Sequence, residues 1–402
     1  MKIKKSIILY FAIGLYLIAK DLEISSAFYT YSWMPPILMI LRYLSYALII
    51  FISLFLTRYT DKNFKRYFIF MISFFLISTI ANSVTIFFDF MFIFAAKDIP
   101  INKKLKYVVA IQVVISLSLF LGTLAGVIAD WTYQIAGRFR HSMGYGYPNA
   151  IPTVYFYMML AVCCLMREKF KLWHLVVFEG LNYLLFYYTN TKTAFALTAI
   201  ALVVLWAIKF RKRKLVPNTV NKLFYVHSVY LIAVFSILFC YFFDPTNMYM
   251  RTIDSFISNR LSMGHNALMI NDLSLFGQKI QWYGFGGLGY TMTVLEGEYN
   301  HVDCTYVKIL LDHGIVMLAT AIAGYMLAAN EELKKGNRFF CTALLFANLY
   351  AMIEPRYINI SLNPFVWCLS SLIGTEVQLV ITKRKNKEEN QRCGKRPELI
   401  HV

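Results

Sequence analysis

Repeated apolar stretches separated by short basic runs limit this chain more than any other feature of its sequence. A spanning helix needs about 20 mostly apolar residues. Twelve candidate spans appear, at roughly 6–19, 34–56, 67–80, 83–96, 107–129, 149–166, 172–188, 193–208, 223–243, 304–329, 338–354 and 364–382. The third and fourth are short, and Ala81-Asn82-Ser83 is either a tight turn between them or part of one long helix. Composition fits the pattern. Hydrophobic residues make up 58% of the 402 and charged residues 15%, against about 25% charged in an average soluble domain. These values argue against a secreted disulfide scaffold, a disordered chain and an ordinary cytosolic enzyme. The expected fold is an all-α, polytopic membrane bundle of about 12 helices.

Charge placement tests this count independently. Cytoplasmic loops of membrane proteins are rich in Lys and Arg. With the N-terminus inside, thirty of the forty basic residues fall in inside segments, and the alternation holds at every loop. Both termini are therefore expected in the cytoplasm. Merging the short pair would break the alternation downstream. The basic placement explains the formal charge of +18 without nucleic acid. The segment Met1 to Lys20 has a basic start and an apolar run but no small-x-small cleavage site, so it reads as an uncleaved first span. Residues 383–402 form a basic cytoplasmic tail drawn to anionic lipid. The seven cysteines include no C-x-x-C pair, and only Cys304 lies near an outer surface; no structural disulfide is expected.

Ten basic residues remain off the inside face: Lys20, Arg42, Arg138, Arg140, Lys192, Arg251, Arg260, Lys279, Lys308 and Arg356. Outer cations oppose the orientation signal, and binding an anion is one reason to keep them. Two outer loops are substantial, at 130–148 and 244–303. Long loops without structure of their own are unusual and commonly functional, so the second is expected to carry short surface helices, for example Arg260 to Leu275. It also holds a Gly-rich stretch at Gly284 to Gly289, read as a flexible loop.

Four constellations carry chemistry. In Arg138-Phe139-Arg140, two arginines at i and i+2 can converge on one anion, and arginine offers planar, bidentate donors to phosphate. The bland alternative is a turn bound to lipid headgroups. Lys192, in the polar hairpin Thr189 to Ala194, is either an outer-cavity cation or a snorkelling lysine. Ser258-Asn259-Arg260 adds a third cation; Arg251 reads as solvated. In Asn300 to Lys308, either His301 or Asp303 can accept a proton from a hydroxyl. Lys308 and Asp312 are four apart and can pair on one helix face, with Asp303 or Thr305 as a helix cap. No metal-ligand spacing appears, and neither a metal nor a cofactor is expected.

These motifs together resemble the Wzy-type polysaccharide repeat-unit polymerases of the O-antigen polymerase/ligase superfamily. Arg140 to Asn149 is similar to the family's R-x-S-L-G-F-x-H-P-N stretch, with Tyr147 in place of His. Thr191-Lys192-Thr193 resembles Ser-Arg-Thr, and Ser258-Asn259-Arg260-Leu261 resembles Ser-Gly-Arg-Leu. Asp303 to Lys308 with Gly314 resembles D-N-S-Y-L-R-L-L-L-x-x-G, with Cys304 for Asn. The matches run in order over about residues 60–330.

The resemblance implies a GT-C-like bundle in the cytoplasmic membrane. It would polymerise undecaprenyl-diphosphate-linked oligosaccharides into surface or capsular polysaccharide on the outer face. Arg140 and Arg260 would clamp the diphosphate, with Lys192 and Arg138 as further cations. His301 or Asp303 would be the base, and Tyr306, Asn149 and Lys308 would support the site. Flippase and chain-length regulator proteins would be partners. A glycan ligase of the same superfamily and a lipid-linked oligosaccharide flippase are the rival readings. The topology predicts that Cys393 in the tail reacts with a membrane-impermeant thiol reagent only after permeabilisation, whereas an introduced Thr252→Cys reacts in intact cells. Labelling of Cys393 in intact cells would reverse the orientation.

Overall fold

The computed structural model describes residues 5–57, 59–135, 137–210, 215–284 and 299–374. The chain is a helical bundle with one small two-stranded sheet. Helices α1 (Lys5–Glu23), α2 (Ser26–Thr30), α3 (Met34–Phe51), α4 (Asp61–Ile80), α5 (Val84–Ala95) and α6 (Ile101–Leu124) lead into the hairpin β1 (Thr132–Ile135) and β2 (Arg138–His141). Then come α7 (Ala150–Met166), α8 (Leu172–Thr189), α9 (Lys192–Ala207), α10 (Thr219–Lys222), α11 (Ser228–Tyr241), α12 (Met248–Phe256), α13 (Arg260–Ile270), α14 (Thr305–Lys334) and α15 (Arg338–Tyr350). A 3-10 run, Pro364–Leu372, closes the described chain.

Seven helices among the described residues are long and apolar enough to cross a membrane: Met34–Leu56, Asp61–Ile80, Ile101–Leu124, Ala150–Lys169, Lys192–Phe210, Thr219–Tyr241 and Thr305–Lys334. Each overlaps one of the twelve expected stretches. Of the others, α1 and α8 are continuous helices of 19 and 18 residues. At 1.5 Å per residue, α5 and α15 reach about 18 and 20 Å, short of a hydrocarbon core of about 30 Å. The stretch expected at 364–382 begins as a 3-10 helix, and residues 375–402 lie outside the described residues.

The question at Ala81-Asn82-Ser83 has a definite answer. The segment is a turn with Asn82 at φ 52°, and α4 and α5 are separate helices. They fold back on each other, with Phe74 stacked on Phe90 at 3.7 Å between ring centroids. At the centre stands α7, with fourteen of its seventeen residues buried. A helix apolar on all sides is covered on all sides, and α6, α8, α9 and α15 all pack against it.

Two breaks in helical structure shape the end of the bundle that carries Arg140 and Asp303. Within α14, Gly314 has φ 80° and ψ 178°, which interrupts the backbone ladder. The segment 274–278 fills the gap: Ile315 N donates to Ser274 O at 3.0 Å, Val316 N to Leu275 O at 3.1 Å, and Gln278 N to Asp312 O at 3.2 Å. The expected surface helix therefore stops at Ile270, because the residues after it are spent on this junction. The second break follows α15. Residues 351–363 are irregular, yet Tyr357, Ile360, Leu362 and Asn363 are fully buried. Side chains from elsewhere satisfy their carbonyls: Gln112 donates to Ser361 O and Leu362 O, Tyr325 to Tyr357 O, and Trp367 to Ile360 O. A buried backbone group without a partner costs as much as a lost hydrogen bond, so the coverage is required.

A methyl group on Gly314 would lie 2.5 Å from Leu275 O, in a backbone region almost restricted to glycine. Gly314→Ala is therefore expected to destabilise the protein by about 2 kcal/mol or more. A lowered thermal midpoint in detergent would show it; an unchanged midpoint would refute the junction.

Candidate functional site

The hairpin β1–β2 presents Arg138 and Arg140 on one face, since residues two apart in a strand point the same way. Arg138 is half-buried and Arg140 is buried. The guanidinium of Arg140 ties three segments together. Its Nε donates to Thr189 O at 2.9 Å, at the end of α8. Its Nη2 donates to Thr191 Oγ1 at 2.9 Å and to Asn149 Oδ1, just before α9 and α7 respectively. Tyr147 lies beside it, with its ring centroid 5.8 Å from the guanidinium carbon. Burial pulls Arg140 below the ordinary arginine value, and the charges of Arg138 and Arg260 act in the same direction.

Arg260 opens α13 and is buried. Asn259 before it sits at φ 61°, and Asp254 of α12 accepts from the backbone of Leu261 and Ser262. The turn Ser258-Asn259 and this acidic cap fix the direction of the Arg260 side chain. Its Nε meets Asp303 Oδ2 at 3.1 Å, and its Nη1 donates to Ile257 O at 2.9 Å. Asp303 also faces His301, with Nε2 to Oδ1 at 3.9 Å. Asp303 thus lies between a fixed positive charge and an imidazole.

His301 is about a third exposed, and the segment 281–283 holds it in place. Asn300 N donates to Tyr283 O at 3.2 Å, and Tyr283 N to Asn300 Oδ1 at 2.7 Å. The Gly-rich stretch from residue 285 onward lies outside the described residues. Burial pushes the His301 imidazole down to about 4; the Lys308 and Arg356 charges add to the shift, and the Asp303 and Asp312 carboxylates oppose it. His301 is therefore neutral at pH 7 and able to accept a proton.

The supporting residues divide. Lys308 pairs with Asp312 at 3.2 Å and sits 4.1 Å from the centroid of the Trp282 ring, whose Nε1 donates to Asp312 Oδ1 at 2.7 Å. That is the i,i+4 pair expected, extended by an aromatic partner not anticipated. The Tyr306 hydroxyl donates to Asn348 O at 3.0 Å. Lys192 is exposed at the start of α9, and its neighbour Thr191 makes the contact with Arg140. Neither Asp303 nor Thr305 caps α14: Asp303 is taken by Arg260, and Thr305 Oγ1 donates to Glu354 O.

Sequence reasoning missed Glu354 and gave Arg356 no role. Both stand in the buried irregular segment after α15. Arg356 Nε lies 3.5 Å from Glu354 Oε1, and Thr153 Oγ1 donates to Glu354 Oε2 at 3.0 Å. An ionisable pair flanked by apolar runs was the available signal.

Below Arg140 lies an apolar groove of about 330 Å³ between α6, α7 and α8, lined by Leu117, Phe120, Ile151, Tyr155, Leu184 and Leu185. Its upper wall touches the anchors of Arg140: Thr189 Oγ1 donates to Leu185 O, and Ile151 follows Asn149 by two residues. Among the described residues no group of His, Cys, Asp and Glu is arranged to hold a metal. No protein-family model matches the chain, and neither a curated relative nor a solved structure matches it.

The shift at His301 has a sign. In the unfolded chain the imidazole takes up a proton near 6.5, whereas in the folded protein it does so only near 4. Its contribution to stability is complete above about pH 6.5 and is lost as pH falls through about 4. The thermal midpoint of the wild type is expected to fall more between pH 7.5 and 4.5 than that of His301→Gln. Equal falls would place the imidazole outside the buried site.

Proposed function

We propose that this protein is a membrane glycosyltransferase that polymerises lipid-diphosphate-linked oligosaccharide units on the outer face of the cytoplasmic membrane. The observation that carries the reading is the convergence of Arg140 and Arg260 with His301 and Asp303 at one end of an apolar bundle. These residues are up to 163 positions apart in sequence and come from separate segments. A diphosphate leaving group develops negative charge as its bond to the sugar breaks. Fixed guanidinium groups in a partly dry site stabilise that charge without having to reorganise. The apolar groove under Arg140 suits the polyprenyl chain of the same lipid.

The reaction balances without a metal or a nucleotide. A hydroxyl oxygen of one unit attacks the anomeric carbon of the chain on another lipid carrier. The anomeric carbon–oxygen bond breaks, and its electron pair leaves with the lipid diphosphate. The hydroxyl proton passes to His301 or Asp303. Asp303, held by Arg260, faces and orients the imidazole, while neutral His301 has a free lone pair. Arg138 and Lys192 supply outer charge that draws the anionic lipid in. Inversion at the anomeric carbon is expected from direct displacement.

Arg260→Ala and His301→Ala are each expected to lower polymerisation by about 10²-fold or more at normal protein level. The readout is a gel ladder of extracted surface glycan. Loss of the ladder with single lipid-linked units outside supports a polymerase. Units trapped on the cytoplasmic leaflet would mean a flippase, and full-length glycan left unattached a ligase. An intact ladder in both variants would refute the reading.

A further inference from the structure

The described cysteines divide between the two ends of the bundle. Cys163 and Cys164 lie in the last turn of α7, just before Arg167, and Cys341 follows Arg338 at the start of α15. Cys368 lines a cavity of about 270 Å³ together with Lys97, Lys104 and Lys335. This is the basic end, and thiols facing the cytoplasm stay reduced. Cys240 and Cys304 are at the opposite end. Cys240 is the second-last residue of α11, and Cys304 comes between Asp303 and the start of α14. Charge alternation set only Cys304 near the outer surface; the fold brings Cys240 to it.

The two thiols meet, and their side chains are hydrogen-bonded to each other. Both are free thiols, each 2% exposed. Backbone on both sides holds the pair. A methyl group on Gly264 of α13 would lie 2.7 Å from Cys240 Sγ, so glycine is what leaves room for that sulfur. His265 Nδ1 lies 3.1 Å from Cys240 O and from Tyr241 O. On the other side, Lys308 N donates to Cys304 O at 2.9 Å, and Thr305 N to Ala351 O at 2.9 Å. A disulfide tolerates little backbone movement, so it forms where the fold has already placed two thiols side by side.

We propose that Cys240 and Cys304 form a disulfide in the oxidising compartment outside the membrane, a modification that ties the segment carrying Asp303 to the helix end on which α13 packs. The inference goes beyond the polymerase reading and shares only its orientation. The chemistry is thiol–disulfide exchange with a disulfide-bearing oxidant of that compartment. Both S–H bonds break and one S–S bond forms between the cysteines. The oxidant's own S–S bond breaks, and it leaves as two thiols with the two protons and two electrons. Buried thiols react poorly, so the exchange takes place before the segment after α11 folds over the pair, and burial then protects the bond. The closed loop holds α12, α13 and the junction at 274–278. Closing it restricts the unfolded chain and fixes Asp303 against Arg260, whose Nε is 3.1 Å away.

The test counts free thiols in the full-length protein. Cells are quenched in acid, the protein is denatured, and a maleimide–polyethylene glycol reagent adds a fixed mass to each free thiol. Of the seven cysteines, five are expected to react without reductant and all seven after dithiothreitol. Cys240→Ser and Cys304→Ser are each expected to give six adducts under both conditions. Digestion of wild type without reductant is expected to yield a linked peptide pair joining Cys240 to Cys304. That measurement needs no variant and keeps the test open should either substitution prevent folding. Seven adducts on wild type without reductant overturn the disulfide, and the two thiols are then apolar filling. A linked pair that includes any other cysteine overturns the assignment. Neither result touches the polymerase reading, which the glycan ladder tests separately.

Discussion

The rest of this structure depends on one constraint: non-helical backbone inside an apolar bundle has to be covered by protein. Where bilayer surrounds the chain, no water is present to satisfy a free N–H or C=O. The chain breaks its helices at Gly314 and after Tyr350, and it covers both breaks internally. Residues 274–278 complete the ladder at Gly314, while Gln112, Tyr325 and Trp367 cap the carbonyls of 357–362. These two breaks lie beside the cations. They bring Lys308, Asp312 and Trp282 together on one side and Glu354 and Arg356 on the other.

The basic residues that charge alternation set apart take different kinds of partner. Lys20 and Arg42 are neutralised between helices: Lys20 donates to Asp89 at 2.8 Å, and Arg42 to Glu23 at 2.6 Å. Tyr16 completes the first pair through Asp89. They are structural ion pairs. Arg260 and Arg356 are paired as well, with Asp303 at 3.1 Å and Glu354 at 3.5 Å, whereas Arg140 donates to neutral groups. Arg140 also has a building role, because its donors to Thr189, Asn149 and Thr191 join β2 to three helix ends. Truncating it removes a charge and also a junction, so Arg260 and His301 report more cleanly on chemistry.

Much of the candidate site was legible as a set of short motifs. Arg138, Arg140, Arg260, His301 and Asp303 stood out because polar residues between apolar runs need a reason to be there. What could not be read was which polar partner each would take. Lys192 carried the charge, yet the hydroxyl of Thr191 meets Arg140, because Lys192 turns outward on the first turn of α9. Tyr306 matched a motif, and its hydroxyl donates to Asn348 O of α15. Glu354 and Arg356 looked like an ordinary loop between two spans. Their burial follows from the collapse of 351–363 into the bundle, which no local periodicity encodes.

Hydrophobic periodicity and charge alternation alone determined that this chain is an all-α bundle of apolar helices, because a run of about twenty apolar residues has few other stable fates. They also placed a short helix opening at Arg260, but left 81–83 open between a turn and a continuous helix and did not read the strand pairing that carries Arg140. Tertiary structure decided which stretches are full-length helices and which, like α5, α15 and 364–372, are short or irregular. It also decided that Asp303 pairs with Arg260 and that Arg356 pairs with Glu354 in a buried segment. These outcomes depend on side chains far apart in sequence meeting in a low-dielectric interior. There, an unpaired charge or carbonyl is costly enough to select one arrangement over its rivals.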